Sequence, residues 1–275
     1  TDSEKQPLIN RAISEVYPPG STFKLITAAA GLEDKTIDEN FEITDTGIVW
    51  LGNFSFSNWY FTQYGKTDGH VNVVKGLQRS NDIFFYKLAE KIGVDKLSEM
   101  AMKFGLGQKL GIDISPEAIG EGWYLGDTYH YGIGQGYLLA TPLQVNYWTQ
   151  IIANGGTGYQ PRLLKNEKLK IKNEKFLSEK TISLIKQGMI EACSAGGVAW
   201  PLFDFKVKSK PVSVACKTGT AQHGASDTMP HAWITLFAPA DNPQIIVTVL
   251  SESSGEGSNI AAPIAKKILE EWFGR

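Results

Sequence analysis

YPPGSTFK at residues 17–24 is a turn that leads directly into an apolar stretch of the chain. Pro19 and Gly20 keep a helix from extending backwards through this turn. Beyond them, apolar residues recur with the spacing of a helix, at Phe23, Leu25, Ile26, Ala29 and Ala30. The pattern predicts a helix over residues 21–32. Since residues three apart on a helix share a face, we expect Lys24 to lie beside the Ser21 hydroxyl.

Ser21 and Lys24 have the chemistry of a nucleophile and its base. A serine hydroxyl is a weak nucleophile at neutral pH and needs a base within hydrogen-bond reach. Lysine can be that base only when burial or a neighbouring cation destabilises its ammonium group, and Lys217 is a candidate for that cation. Serine and lysine three apart also occur by chance on surface helices, so this pair alone leaves a solvated lysine open.

Ser80-Asn81-Asp82 lies where a second helical stretch, residues 71–92, divides into two pieces. A hydroxyl and a carboxylate at this junction are suited to holding Lys24 in position and relaying a proton to a leaving amine. The local alternative is a serine N-cap followed by an acidic residue in the first helical turn. The segment by itself does not separate these two interpretations.

The C-terminal third of the chain changes to β-rich patterning. Residues 212–221, 232–237 and 244–250 are predicted to be three neighbouring antiparallel strands. Lys217-Thr218-Gly219-Thr220 lies on the first of them, where a cation can bind a substrate carboxylate and a glycine lets a ligand backbone approach closely. An amphipathic helix over residues 260–273 is expected to cover the sheet with one apolar face, made of Ile264, Ile268, Leu269 and Trp272.

The remaining elements are predicted from caps and breakers. Helices are expected over residues 94–104, from Thr141-Pro142 to about residue 153, and from residue 178 onward. Residues 41–69 carry many aromatic side chains among glycines and asparagines, which favours short strands or turns. We expect these aromatics to anchor a large loop on the core, with docking of a partner or substrate as the alternative. Gly132-Ile133-Gly134-Gln135-Gly136 has the wrong spacing for a dinucleotide loop and predicts a backbone turn near the site.

Composition indicates one large globular domain and disfavours some partners. The 275 residues are 42% hydrophobic and 20% charged, and the 27 basic and 29 acidic side chains nearly cancel, so no strong field favours nucleic acid. Cys193 and Cys216 are expected to be free thiols packed as small apolar residues, although a bridge between them stays open. No stretch approaches the roughly 20 apolar residues that cross a bilayer, and residues 1–5 do not form a signal peptide.

Three motifs occur in the order S-x-x-K, S-x-D and K-T-G-T, each on the expected kind of element, and this combination is far more specific than any one motif. The sequence resembles the transpeptidase domain of class B penicillin-binding proteins, and within them the elongation type, penicillin-binding protein 2. The likeness extends over nearly the whole chain, through strings at residues 17–24, 80–86, 126–128, 132–137, 140–144, 217–222, 231–233 and 237–239.

The resemblance implies an α/β (α+β) fold of the penicillin-binding protein and serine β-lactamase kind, with helices flanking an antiparallel sheet. It implies one transpeptidase domain over residues 1–275, with an all-helical subdomain over roughly 33–205 between the nucleophile helix and the C-terminal strands. The family normally has two sheet strands, a pedestal and a membrane anchor ahead of the S-x-x-K helix. We therefore expect an N-terminally truncated chain whose sheet carries an unpaired edge.

The resemblance also assigns catalytic roles. Ser21 would be the acylated nucleophile and Lys24 its general base. Ser80 and Asp82 would form the second motif, and Lys217 would be the cation of the third. The implied reaction is D,D-transpeptidation of peptidoglycan stem peptides through an acyl-serine intermediate, and β-lactams would acylate the same serine.

Substrate binding is implied along the third motif. Thr218, Gly219 and Thr220 would hold the donor peptide or a β-lactam by its carboxylate, together with Lys217. The backbone N–H groups of Ser21 and Thr220 would form the oxyanion hole that stabilises the tetrahedral intermediate.

Other activities on the same motifs stay open as alternatives. They are a β-lactam-binding sensor or scaffold domain without turnover, a D,D-carboxypeptidase and a β-lactamase. A class A β-lactamase needs an E-x-x-L-N segment, which is absent between Ser80 and Lys217, so hydrolytic turnover is expected to be slow. Some elongation-type relatives hold zinc through aspartates, a histidine and a cysteine. Only Asp68 and His70 are suggestive here, so neither a metal nor a cofactor is predicted.

The implied partners are stem peptides, β-lactams and, for the full-length protein, a membrane glycosyltransferase of the elongation complex. The implied location is the extracytoplasmic face of the bacterial cell membrane, with an N-terminal anchor that is absent from this chain.

Overall fold

The computed structural model describes residues 8–120, 128–165, 170–224 and 227–275. Its helices are α1 Arg11–Ser14, α2 Lys24–Glu33, α3 Trp59–Tyr64, α4 Val73–Arg79, α5 Asp82–Ile92, α6 Val94–Lys103, α7 Thr128–Gly132, α8 Pro142–Ala153, α9 Glu179–Ala192 and α10 Ala262–Gly274. Its strands are β1 Glu42–Thr44, β2 Ile48–Leu51, β3 Phe54–Ser57, β4 His70–Asn72, β5 Gly158–Tyr159, β6 Ile171–Asn173, β7 Lys206–Val207, β8 Lys210–Pro211, β9 Ala215–Ala221, β10 His231–Ala238 and β11 Ile245–Ser251. Residues 1–5, and Gly126 and Asp127 from the strings above, lie outside the described residues.

A three-stranded antiparallel sheet, in the order β11-β10-β9, separates two apolar cores. Successive side chains of a strand point to opposite faces, so Trp233 and Phe237 of β10 enter one core and Ile234 and Leu236 enter the other. The first core contains the buried residues of α8, and the second contains those of α10. The prediction of three neighbouring antiparallel strands is confirmed, and the structure has the flanking helices that the fold class requires.

The predicted helix over residues 21–32 begins differently from the expectation. Residues Gly20–Phe23 form a 3₁₀ turn, and α2 follows from Lys24. The turn is tight because Gly20 has a φ of +53°, its N–H donates to the Gly134 carbonyl, and the Thr22 hydroxyl donates to the Pro19 carbonyl. All residues of α2 from Lys24 to Gly31 are buried, so this helix passes through the centre of the larger core.

The other helices begin at the predicted caps. The division of residues 71–92 is confirmed, with α4 ending at Arg79 and α5 beginning at Asp82. The Thr141 hydroxyl accepts the Gln144 N–H in a capping box that starts α8, and the Ser178 hydroxyl accepts the Thr181 N–H at the start of α9.

The interval 33–205 is not purely helical. Among the residues that the structure describes, it holds three two-stranded antiparallel sheets, which pair β1 with β4, β2 with β3, and β5 with β6. Phe56 packs against Tyr86 and Tyr129 as an anchor of the aromatic segment. Trp50 and Phe54 are 67% and 72% exposed, so the anchoring interpretation fails for these two residues.

The expected apolar face of the closing helix is wrong for three of its four residues. Ile264, Ile268 and Trp272 are 42%, 40% and 43% exposed, and only Leu269 is buried. A π-helical turn over Gly257–Ala261 precedes α10, and the face that meets the sheet carries Ala262 and Ala265 beside Leu269. Small side chains let the helix approach the sheet closely, a preference that apolar periodicity does not express.

Cys193 and Cys216 form a disulfide, so the expectation of free thiols is wrong. Cys193 directly follows α9, Cys216 lies on β9, and their Cα atoms are 5.9 Å apart. Both side chains belong to the second core. The packing of α9 against β9 creates this proximity between residues that are 23 positions apart in sequence.

Within the described ranges, no helix has both the length and the apolar character needed to span a bilayer.

Candidate active site

The turn that carries Ser21 lies directly against strand β9. A Cβ atom at Gly219 would lie 3.1 Å from the Thr22 Cγ2 atom and 3.2 Å from the Pro19 carbonyl oxygen. A Cβ atom at Gly20 would lie 3.1 Å from the Thr220 carbonyl oxygen. Gly219 therefore accommodates the protein's own turn, which is a different reason from the ligand approach expected from sequence. This packing brings the backbones of Ser21 and Thr220 together.

The Gly-rich segment 132–136 supports the same turn from its other side. The Gly20 N–H donates to the Gly134 carbonyl at 2.8 Å, and Gly134 has a φ of +76°. The prediction of a backbone turn near the site is confirmed.

Ser21 and Lys24 share one side of the 3₁₀ turn. Side chains three apart are eclipsed in this geometry, and the Lys24 N–H donates to the Ser21 carbonyl. Ser21 is partly exposed, whereas Lys24 is completely buried. Ser21 of the predicted pair is thus accessible and Lys24 is enclosed, and the hydrogen bonds of the Lys24 ammonium among the described residues go to Ser80 and Asp82 rather than to the Ser21 hydroxyl.

The Lys24 ammonium contacts the second motif. Its Nζ atom donates to the Asp82 Oδ1 atom at 2.6 Å and to the Ser80 carbonyl at 2.8 Å, and it lies 3.4 Å from the Ser80 hydroxyl. Ser80 ends α4 with a φ of +52°. A non-glycine residue in this left-handed region is strained by roughly 1–2 kcal/mol. The strained turn directs the Ser80 carbonyl and hydroxyl toward the lysine.

Lys217 reaches the same hydroxyl from the sheet. Its Nζ atom donates to the Ser80 hydroxyl at 2.8 Å and to the Thr218 carbonyl at 2.9 Å, and the side chain is completely buried. Odd-numbered residues of β9 face the larger core, which is why a cation on this strand points toward α2 and α5. Ser80 therefore lies between two lysine side chains.

Both lysines are destabilised as cations. Burial lowers the pKa of Lys24, and the Asp82 carboxylate opposes that shift. The pKa of Lys217 lies well below its ordinary value, first because of burial and then because of the Lys24 charge. Of the two causes considered for a low pKa of Lys24, burial or a neighbouring cation, burial is the one that acts. Within the described residues, Lys217 has no carboxylate contact as short as the one that Lys24 makes with Asp82, so the charge of Lys217 is poorly compensated.

The remaining residues of the third motif line an edge of the sheet. Within the described chain, β9 pairs on one side only, with β10. Thr218 is buried, and the Thr220 hydroxyl accepts the Gly257 N–H at 3.4 Å. The free edge of β9 offers unpaired backbone groups next to Ser21, as required for an extended peptide that adds to a sheet.

Asp68 and His70 do not converge on one point. The Asp68 carboxylate accepts hydrogen bonds from the Arg79 side chain at 2.9 Å and from the Asn81 amide at 3.0 Å. The exposed His70 lies 3.5 Å from a Glu42 carboxylate oxygen. No cluster of metal-ligating residues occurs in the part of the chain that the structure describes.

Two residues of the aromatic segment join the site without having been predicted. The Asn58 side-chain oxygen accepts the Asp82 N–H at 3.2 Å, and the Trp59 N–H donates to the Asp82 Oδ2 atom at 3.0 Å. An asparagine ahead of an aromatic run is a local cap signal. Its actual partner is more than twenty positions away, so local reasoning does not identify it.

Comparison with known proteins places these motifs in a family. The family model "Penicillin binding protein transpeptidase domain" matches residues 1–270. The peptidoglycan D,D-transpeptidase MrdA of Haemophilus influenzae is 32% identical over 309 residues, which cover 98% of this chain and 46% of that protein. The chain thus spans about half the length of this curated relative.

Solved structures give the same result. A complex between penicillin-binding protein 2 and MreC from Helicobacter pylori matches with a TM-score of 0.85 and 32% identity, over 98% of this chain and 52% of that one. A ceftriaxone acyl-enzyme complex of penicillin-binding protein A from Mycobacterium tuberculosis matches with a TM-score of 0.82 and 30% identity, over 98% and 63%. The resemblance to penicillin-binding protein 2 found in the motifs is confirmed.

Proposed function

Because this chain belongs to the penicillin-binding protein transpeptidase family, we propose that it cross-links peptidoglycan stem peptides through an acyl-Ser21 intermediate and is acylated there by β-lactams. One observation carries the proposal. Lys24 and Lys217 both contact the Ser80 hydroxyl, and Lys24 directly follows the 3₁₀ turn that carries the partly exposed Ser21 and packs against the edge strand β9. The D,D-transpeptidase relative and the acyl-enzyme structure support the same chemistry.

The first half-reaction forms the acyl-enzyme. The Ser21 hydroxyl attacks the carbonyl carbon of the D-Ala-D-Ala bond, and neutral Lys24 accepts the hydroxyl proton. Backbone N–H groups of Ser21 and Thr220 stabilise the oxyanion. Protonated Lys24 then gives that proton to the Ser80 hydroxyl, which passes its own proton to the amine of the departing D-alanine as collapse of the tetrahedral intermediate breaks the peptide bond.

The second half-reaction transfers the acyl group. An amine of a neighbouring stem peptide attacks the acyl-serine ester and gives up a proton to the neutral Lys24. As the ester bond breaks, Lys24 returns that proton to the departing Ser21 oxygen. The product is a cross-linked peptide, and the free serine is restored. A β-lactam enters the first half-reaction in the same way, but its ring-opened acyl group stays on Ser21.

Charge compensation explains how substrate prepares the base. The charge of Lys217 is poorly compensated by the protein itself, and a substrate carboxylate held by Thr218 and Thr220 would stabilise the protonated form of this lysine. Because Lys217 and Lys24 both contact the Ser80 hydroxyl, a charged Lys217 disfavours the protonated form of Lys24. Substrate binding therefore favours the neutral Lys24 that acylation requires.

The proposed setting is the extracytoplasmic face of the bacterial cell membrane. The Cys193–Cys216 disulfide supports it, because such bonds persist in oxidising compartments and are rare where thiols are kept reduced. A membrane glycosyltransferase of the elongation complex is the proposed partner of the whole protein. The relative that is bound to MreC supports the view that this kind of domain works in an assembly.

One experiment tests the function. The purified protein is mixed with lipid-linked precursor and a glycosyltransferase, and the digested product is analysed by mass spectrometry. We expect dimeric muropeptides, and we expect a fluorescent penicillin to label the protein covalently. Ser21→Ala should abolish both signals because it removes the hydroxyl that forms the ester.

The control is Ser183→Ala, which removes an exposed hydroxyl from α9 and should leave both signals unchanged. Labelling of a folded Ser21→Ala protein would remove Ser21 as the nucleophile. Labelling without dimers would favour the sensor, and trimmed monomers or rapid loss of the label would favour a carboxypeptidase or β-lactamase.

A further inference from the structure

A carboxylate outside all three motifs lies beneath the second one. Asp45 directly follows β1 and is 3% exposed. Its Oδ1 atom accepts the Gly47 N–H at 2.8 Å. Its Oδ2 atom accepts the Asn58 and Asn81 side-chain amides, both at 2.8 Å, and the Asp68 N–H at 2.9 Å. All four donors are neutral. A buried carboxylate needs such bonds to offset its desolvation, so Asp45 constrains where these donors lie.

Asp45 determines the orientation of two buried amides. An ionised carboxylate can only accept, so the NH₂ groups of Asn58 and Asn81 must face it and their carbonyl oxygens must face away. The Asn58 oxygen accepts the Asp82 N–H at 3.2 Å, and the Asn81 oxygen accepts the Phe84 N–H at 2.9 Å. These are two of the orphan N–H groups at the start of α5. Asp45 thus orients both asparagine side chains that cap the N-terminus of α5.

The capped turn carries the carboxylate that contacts the base. Asp82 is the first residue of α5, and its Oδ1 atom accepts from the Lys24 Nζ atom at 2.6 Å. Its Oδ2 atom accepts the N–H of Trp59, which is the neighbour of Asn58. The backbone and the side chain of Asp82 are therefore both held by the segment that Asp45 orients.

The hydrogen bonds around Asp45 form a network, and a second branch of it runs from Asn81 through Asp68 to the Arg79 cation. The Asn81 amide also donates to the Asp68 Oδ2 atom at 3.0 Å, and the Arg79 side chain donates to the Asp68 Oδ1 atom at 2.9 Å. Arg79 in turn stacks on the Tyr60 ring, 4.7 Å from its centroid. This branch holds the NH₂ group of Asn81, while the oxygen of the same side chain caps α5.

We propose that Asp45 is a positioning residue for acylation, which sets the place of Asp82 against Lys24 by orienting Asn58 and Asn81. The inference rests on the proposed function, because acylation of Ser21 is the reaction whose base is being positioned. Asp45 touches neither the nucleophile nor the base in the contacts that the structure gives it. It acts only through the amides.

Asp45→Asn separates positioning from general support. The new NH₂ group must oppose either the Gly47 N–H or the Asn58 and Asn81 amides, and a neutral acceptor holds those amides less firmly than a carboxylate does. We expect the two asparagine caps at the start of α5 to loosen and Asp82 to retreat from Lys24. Asp82 raises the pKa of Lys24, so its retreat lowers that pKa further. When the acylation rate constant is plotted against pH, its rise should then move to lower pH. The plateau value should fall because Lys24 is less well placed to accept the Ser21 proton.

The measurement is the kinetics of acylation by a fluorescent penicillin between pH 6 and 10, resolved into a non-covalent Kd and an acylation rate constant. For Asp45→Asn we expect a plateau rate constant about 10- to 100-fold lower, as small misplacements of catalytic groups produce. The Kd should stay close to that of wild type. Asp113→Asn is the matched control, because Asp113 is exposed and accepts the Leu163 and Leu164 N–H groups at 2.7 and 2.9 Å.

A folded Asp45→Asn protein with the wild-type plateau, or with a lower plateau but an unshifted midpoint, overturns the proposal. If that variant does not fold, Asn58→Ala tests the same connection, since it removes the cap on the Asp82 N–H. Asn58→Ala should lower the plateau rate constant of acylation less than Asp45→Asn does, and it should shift the midpoint of the pH profile to lower pH as well. An unshifted midpoint again overturns the proposal. A wild-type protein that penicillin fails to acylate contradicts the proposed function instead.

Discussion

At the scale of single residues, Ser80 joins the two buried lysines of the site. Its hydroxyl accepts from the Lys217 Nζ atom at 2.8 Å and lies 3.4 Å from that of Lys24, and its carbonyl accepts from Lys24 at 2.8 Å. Burial of both ammonium groups is costly in the absence of full compensation. The site therefore holds lysines that release protons more readily than exposed lysines do.

The rate of penicillin acylation should rise with pH and then level off below the ordinary lysine value of 10.5. Only neutral Lys24 can accept the Ser21 proton, and the neutral fraction grows tenfold per pH unit below the pKa. Burial lowers that pKa, so the rise falls within an accessible range. Single-turnover labelling between pH 6 and 10 measures it, and a flat profile would contradict lysine as the base.

Lys24→Arg is the matching substitution, since it keeps a cation but removes the base. A loss of about 10²- to 10⁴-fold in acylation is expected. Lys96→Arg is the control, because Lys96 is exposed and pairs with Asp34 at 2.8 Å on the far surface of α6.

At the scale of elements, strand β9 brings the third motif to the first. Its alternating faces send Cys216 into one core and Lys217 toward the other, and Gly219 lies against the turn that carries Ser21. The strand can lie this close to the turn because Gly219 has no side chain of its own, and the Thr22 methyl occupies the space that a Cβ atom would need. Its register with β10 pairs Gly219 with Trp233, whose indole N–H donates to the Pro18 carbonyl.

Gly219→Ala should push β9 away from the nucleophile turn. The added Cβ would lie 3.1 Å from the Thr22 Cγ2 and Trp233 Cβ atoms, so neighbouring backbone must shift. We expect acylation to slow about 10- to 100-fold and the free energy of unfolding to fall by about 1–3 kcal/mol. Labelling kinetics and urea unfolding measure the two effects.

Gly274→Ala is the control for that substitution, because a Cβ atom there would meet only Val207 Cγ1 at 3.9 Å. Wild-type labelling by Gly219→Ala would show that the close packing has no bearing on the reaction.

At the scale of the whole molecule, the central sheet and the helical layer are joined covalently as well as by packing. The Cys193–Cys216 bond connects the end of α9 to β9, one residue before Lys217. It closes a loop of 23 residues. A crosslink of this size restricts the unfolded chain and, by the chain-entropy account, stabilises the fold by about 3 kcal/mol.

Reduction of that bond should lower the free energy of unfolding by about 3 kcal/mol, a large part of the total for a typical domain. Urea unfolding with and without a reductant measures the difference. The chain has only two cysteines, so a reductant has no other disulfide to act on. The Cys193→Ala/Cys216→Ala double variant should be as unstable as the reduced protein and insensitive to reductant. Equal stabilities of the oxidised and reduced wild type would refute the expectation.

The sequence determined the motifs and the elements that carry them. The order of the three motifs, the break at Ser80-Asn81-Asp82, the cap at Thr141 and the three C-terminal strands all follow from local propensity and periodicity, which act over a few residues. Local propensity and periodicity did not predict which elements would lie next to each other. The 3₁₀ turn at Ser21 depends on the Gly134 carbonyl, and the buried face of α10 depends on how closely the sheet lies.

Only the tertiary structure decided the contacts between distant residues. The disulfide, the relation between the two lysine pKa values and the Asp45 network each join groups that are 23 or more positions apart or separated by loops. Burial and charge compensation are properties of the assembled core, because they depend on what surrounds a group on every side. The motifs predict which groups react, and packing sets the charges and distances of those groups.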